Sequence, residues 1–202
     1  ALFIALIAAT GWVSWRMTST PDLGAKPGGT LHGQSDPQLA AFALTQLIGL
    51  VNPLNGHATV TFSERDLTAI AVARASSALA NPQVRVRGGA LVVSGETSVL
   101  GVHVTAIGHL GTHLVFDADG LPDVGLSIDE IDAGLLTLPD VLRSAIADKI
   151  NAQVNLGGVL DADARLRALR PSLECVAVVP AGVVLGFHGP LKTADPAACT
   201  RA

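Results

Sequence analysis

Three histidines, His103, His109 and His113, fall within eleven residues of one another, and imidazole serves readily in proton transfer and metal ligation near neutral pH. They lie in VLGVHVTAIGHLGTHLVF, a stretch rich in β-branched and aliphatic residues that reads as strand. His103 and His109 share a strand parity, yet at a rise of ~3.3 Å per residue they stand ~20 Å apart, too far to hold one ion. They read as solvent-facing strand residues, and no metal ligand is expected among them. Acids follow at Asp117, Asp119, Asp123, Asp129, Glu130 and Asp132. DADGLPD has a superficial likeness to a calcium loop, but it lacks the ligand spacing and the closing bidentate glutamate. A polar turn and the outward face of a strand account for these acids.

Nucleophilic and phosphate chemistry leave no mark. The chain has no G-x-S-x-G elbow, no P-loop and no G-x-G-x-x-G after a strand. The serines of SGETSVLG have no base placed to activate them, and SERD reads as a helix cap. The expectation is a non-enzyme with no catalytic residue and no cofactor. Cys175 and Cys199 allow two readings: one disulfide in an oxidising compartment, or a buried thiol with a second thiol in the C-terminal tail.

The elements that hold these residues are built mostly from Ala, Val and Leu. Of 202 residues 49% are hydrophobic, only 15% are charged, there are 21 glycines, and tyrosine is absent. The net charge is −4 with the basic residues scattered, so nucleic acid and a polybasic contact with anionic lipid are both disfavoured. ALFIALIAATGWVSW carries no charge before Arg16. A full bilayer span needs ~20 residues, so the stretch reads as the trailing part of a membrane span, with Trp12, Trp15 and Arg16 as an interfacial belt. The competing reading is a secretory signal peptide, whose apolar core has about this length. Either one puts the remainder outside the cytoplasm.

A Gly, Pro, Ser and Thr-rich linker follows, and then DPQLAAFALTQLIGLVN predicts a helix with Asp36 as N-cap and Pro37 at its first position. Ala58, Val60 and Phe62 alternate as a strand. Ser63 with Asp66 then forms a capping box opening a helix from about Glu64 to Leu79. Val84 and Val86 alternate with Arg85 and Arg87 ahead of a Gly88–Gly89 hairpin turn. Further strands are expected at about 90–97, 101–110 and 112–117, then a turn at DADG. A strand follows in which Val124, Leu126 and Ile128 oppose Gly125, Ser127 and Asp129. LPDVLRSAIADKINAQV predicts another helix, and LECVAVV–PAG–VVLGFHG a last hairpin. An enclosure lined by such small aliphatic side chains is either an ordinary close-packed core or an underfilled groove suited to acyl chains, each buried CH₂ contributing ~0.8 kcal/mol.

The order of these signals resembles the small bacterial envelope proteins of the LmeA and YpmS type. Phe62, Ser63, Glu64, Asp66 and Leu67 match a strand that runs into a capped helix. Gly120, Leu126, Ile128, Ile131, Gly134, Leu136, Leu138 and Pro139 match a later strand that runs into another helix. The likeness covers roughly residues 57–155 and, loosely, the last hairpin. It carries no catalytic residue. Such proteins are similar to the TULIP superfamily, in which a curved antiparallel sheet wraps a long helix and lipid lies between. The helix at 37–51 and the tail after Leu191 are not part of the pattern.

The resemblance implies an α+β fold, a curved antiparallel β-sheet around a long amphipathic helix. It implies a membrane anchor at 1–17, a linker at 18–35, a lipid-binding-like domain at 36–191 and a tail at 192–202. Val84, Val86, Leu114, Phe116, Val124, Leu126 and Ile128 are then the lipid-facing set. The expected partners are a phospholipid or other acyl lipid and the bacterial cytoplasmic membrane, spanned once, with the domain on its periplasmic side. The alternative is a non-catalytic accessory subunit of a larger membrane protein complex.

Overall fold

The computed structural model describes residues 2–19, 21–23, 56–73, 79–99, 101–138 and 164–201. The chain opens with helix α1 (Leu2–Thr18), strand β1 (His57–Phe62) and helix α2 (Glu64–Ala73). Strands β2 (Ala80–Arg87), β3 (Ala90–Val99), β4 (Val102–Phe116), β5 (Pro122–Ala133) and β6 (Leu136–Thr137) follow. Helix α3 (Ala164–Arg167) precedes strands β7 (Leu173–Val179) and β8 (Gly182–His188). The helices expected at 37–51 and after Pro139, and most of the linker at 18–35, lie outside the described residues.

The fold is α+β and its strands are antiparallel, but they form two sheets where the sequence suggested one. Strands β2 to β6 pair in chain order as a five-stranded meander, while β1 joins the last hairpin in the order β1-β8-β7. Val60 stands opposite Leu185, and Phe62 opposite Val183. This pairing joins distant parts of the chain, and local alternation carries no information about it. The two sheets and α2 share one core, in which Leu110, Ile131 and Phe187 are fully buried beside Val60, Phe62, Leu67 and Val93.

Local chemistry shapes the elements as the sequence implies in several places. Ser63 donates its N–H and hydroxyl to Asp66 Oδ2 at 2.9 and 2.7 Å, closing the capping box at the start of α2. Gly88 and Gly89, with φ of 59° and 81°, make the two-residue turn between β2 and β3. At DADG, Asp117 Oδ1 accepts from the N–H groups of Asp119 and Leu121 at 2.9 and 2.8 Å, closing the turn between β4 and β5.

Other expectations are corrected. The two strands expected at 101–110 and 112–117 are one strand of 15 residues, with Gly111 inside it. The absent side chain at Gly111 makes room for Ser127, whose hydroxyl lies 2.5 Å from where a Cβ would sit. The expected enclosure of a long helix by a single sheet is not what the described residues form. Helix α2 covers ten residues, sets Leu67, Ile70 and Ala71 on the core, and runs beside β2. Arg85, on the face opposite Val84 and Val86, is 3% exposed, so that face is not a solvated one. Its guanidinium donates to Ser94 Oγ and Gln83 Oε1, and burial with Arg87 nearby lowers its pKa.

Helix α1 has 17 residues, and no helix among the described residues is long and apolar enough to cross a membrane. Its C-terminal end is seated on the domain. Leu135 N–H donates to the Arg16 carbonyl at 2.8 Å, and Met17 packs against the core. Trp12 and Trp15 remain 54% and 59% exposed, with the Arg16 guanidinium 5.5 Å from the Trp12 ring centre.

Candidate functional site

By register, the seven aliphatic and aromatic residues singled out from the sequence share one face of the meander. Val84 and Val86 stand opposite Val93 and Leu91, Leu114 opposite Val124, Leu126 opposite Thr112, Ile128 opposite Leu110, and Phe116 opposite Pro122. Burial divides them. Val84, Val86 and Val124 are sealed in the core and line nothing accessible. Leu114 and Ile128 are half-buried at its rim, Leu126 is half-buried beside them, and Phe116 is 67% exposed. Along β4 the same face passes from Leu110 at 0% exposure to Phe116 at the tip, so the aliphatic surface outruns the core that covers it.

The end of that surface is held rigidly. Arg170, itself buried, reaches from the segment before β7 and donates to Asp117 Oδ2 at 2.7 Å and to Asp123 Oδ2 at 3.4 Å. The Leu121 N–H, then the Asp119 N–H and Arg170, hold the Asp117 carboxyl below its usual range. Phe116, the last residue of β4, is therefore exposed beside a turn whose backbone and carboxylates are tied down. Such a surface favours contact with another apolar molecule.

A second constellation lies on the outer face of the three-stranded sheet, and the sequence reading missed its pairing of His57 with Glu174. The Glu174 side chain is fully buried, and His57 Nδ1 lies 2.9 Å from both its carboxylate oxygens. The Asp195 N–H also donates to Glu174, at 2.8 Å. Asp195 pairs with Arg201, whose guanidinium, with the Ala197 N–H, holds the Asp195 carboxyl below its usual range. Cys175 and Cys199 are joined by a disulfide on the same face, with Cα atoms 5.9 Å apart. The residues from Asp195 to Arg201 are thus fastened to the sheet at two points, by the Asp195 N–H on the Glu174 carboxylate and by the disulfide. Of the two readings open for the cysteines, this is the one that ties the tail to a late strand. The available signal was a lone acid in the apolar run LECVAVV, since a buried carboxylate requires a partner.

Compared with protein-family models, with curated proteins and with solved structures, the chain matches none of them.

Proposed function

We propose that this chain is a non-catalytic holder of acyl lipid, attached to a membrane through its N-terminal apolar helix and working on the extracytoplasmic side. The observation that carries this reading is the continuation of the aliphatic face of β4 and β5 past the closed core, through Leu114, Leu126 and Ile128 to exposed Phe116. Acyl chains gain ~0.8 kcal/mol per buried CH₂ on such a surface, without directional bonds, while a headgroup stays in water at its margin. The resemblance of the capped helix after Phe62 and of the strand leading to Pro139 to envelope proteins of the LmeA and YpmS type supports the same reading. So does the likeness of those proteins to the TULIP superfamily. The Cys175–Cys199 disulfide favours an oxidising, extracytoplasmic setting. The mechanism is passive: chains partition onto the face and leave it, with no bond made or broken.

The test is organic extraction of the purified full chain, followed by mass spectrometry. A near-stoichiometric acyl lipid is the expected result. A lipid-free protein that binds none from added phospholipid vesicles overturns the reading. If that protein instead co-purifies with a defined membrane complex, the accessory-subunit alternative takes its place.

A further inference from the structure

The register of β4 and β5 brings together three potential metal donors, His109 and two acids that lie 21 and 23 residues further along the chain. His109 stands opposite Glu130, and Ile107, two residues before it, stands opposite Asp132. The pairing shifts between His109 and Leu110, where Leu110 meets Ile128 and leaves Asp129 as one extra residue on β5. That bulge reverses the alternation of β5. Ile128 and Ile131 both face the core, and Glu130 and Asp132 both turn to the opposite face, beside His109. The imidazole nitrogen and one oxygen from each carboxylate lie within 4.8 Å of one another, and His109 Nε2 is 3.7 Å from Asp132 Oδ2. Donor atoms around a tetrahedral ion with bonds of 2.0–2.2 Å stand ~3.4 Å apart, so small side-chain rotations complete the site.

Two further observations ask for a cation here. The Asp132 side chain is 20% exposed and turns Oδ2 toward His109, while its other oxygen, Oδ1, is buried with no hydrogen-bond partner. Buried polar oxygens are otherwise almost always satisfied. Glu130 and Asp132 also lie side by side with no Lys or Arg paired to either among the described residues; Glu130 accepts only from Thr137 Oγ1 at 3.2 Å. The donor set narrows the ion. One imidazole with two carboxylates suits a divalent transition metal such as zinc, whereas calcium and magnesium favour all-oxygen sites.

We propose that His109, Glu130 and Asp132 form a binding site for a divalent transition metal on the face of the meander opposite the aliphatic surface. Three protein ligands leave at least one coordination position to water or to a ligand from a partner. The proposal is independent of lipid binding.

The test is titration of the purified full chain, stripped with chelator, with zinc by calorimetry and with cobalt by visible absorption. The expected result is one saturable site per chain. His109→Gln, Glu130→Gln and Asp132→Asn should each weaken it at least tenfold, and His113→Gln, an exposed histidine of the same strand, should leave it unchanged. Thermal unfolding without metal checks that each variant is folded, and any one folded variant of the three decides the outcome. Absence of a saturable site in the wild type overturns the proposal. So does binding that survives in a folded variant, or that moves with His57→Gln instead.

Discussion

Glu174 and Cys175 are neighbours in the chain, yet both side chains project from the same outer face of β7. Leu173 stands opposite Phe187 and Cys175 opposite Gly186, leaving Glu174 as the extra residue of a bulge. The bulge sets a carboxylate beside a disulfide, and the C-terminal segment is fastened by both. Gly186 fits under this arrangement because it has no side chain: a Cβ there would overlap Cys175 Sγ.

Glu174→Gln tests the hydrogen-bonded half of the fastening. The change keeps the shape and one acceptor but replaces one of the two carboxylate oxygens facing His57 with an amide. Hydrogen bonds to charged groups are worth ~1.5–3 kcal/mol, and the 39% exposure of the His57 side chain puts the expected loss at the lower end. Denaturant unfolding should show that loss, and the Asp195 amide should exchange faster with solvent. An unchanged midpoint together with an unchanged Asp195 amide would show that the disulfide alone fastens the segment.

Thr68 and Glu64 stand one helical turn apart on α2 and meet alternate residues of β2. Four residues of helix rise ~6 Å and two residues of strand ~6.6 Å, so the spacings match. The Val84 N–H donates to Thr68 Oγ1 at 3.0 Å and the Val86 N–H to Glu64 Oε1 at 2.7 Å. The outer edge of the meander is thereby closed to another strand. Thr68→Val keeps the volume and removes the acceptor, leaving a part-buried N–H unpaired at a cost of ~1–3 kcal/mol. Thr68→Ser should restore most of it. Equal stability of Thr68→Val and wild type would mean that helix packing alone protects the edge.

What the sequence made legible was local. Ser63 with Asp66, Gly88–Gly89 and Asp117 each act within four residues, so residue type alone points to the turn or cap. The alternation of Val124, Leu126 and Ile128 was equally plain. Two single-residue insertions, at Asp129 and Glu174, were not: a bulge leaves the composition of a strand untouched while reversing its parity. With them went the grouping of His109 with Glu130 and Asp132, and of His57 with Glu174. Gly111 was read as a break because a strand interior rarely favours glycine. Its role depends on Ser127 across the ladder, a neighbour that spacing along the chain does not reveal.

Acid should loosen the tip between β4 and β5. The Asp117 pKa is lowered in the folded chain, chiefly by the Leu121 N–H. The stabilisation it contributes is therefore present above the unfolded value of ~3.9 and is lost as pH falls through the lower folded value. Thermal unfolding followed against pH should show wild type more stable than Asp117→Asn at neutral pH, with the gap closing below about pH 4. A gap that persists unchanged into stronger acid would assign the difference to shape and not to charge.

The aliphatic surface is tested by filling it. Leu126 is half-buried between Val124 and Ile128, outside the sealed core. Adding bulk to a close-packed core strains it by typically ~1–3 kcal/mol. Adding bulk on an open apolar surface mainly removes room for whatever lies there. Leu126→Trp should therefore keep the fold and most of the stability while losing co-purified or added phospholipid. Phe116→Ser should weaken lipid retention less, because the side chain at the tip covers less of a bound chain. Ser127→Ala, on the opposite face, should change neither. Val86→Trp supplies the contrast: the residue is sealed in the core, and overpacking there should lower the unfolding midpoint whether or not lipid is bound. If Leu126→Trp behaves like Val86→Trp and the wild type carries no lipid, the face between β4 and β5 is core under another cover, and the lipid-holding reading fails.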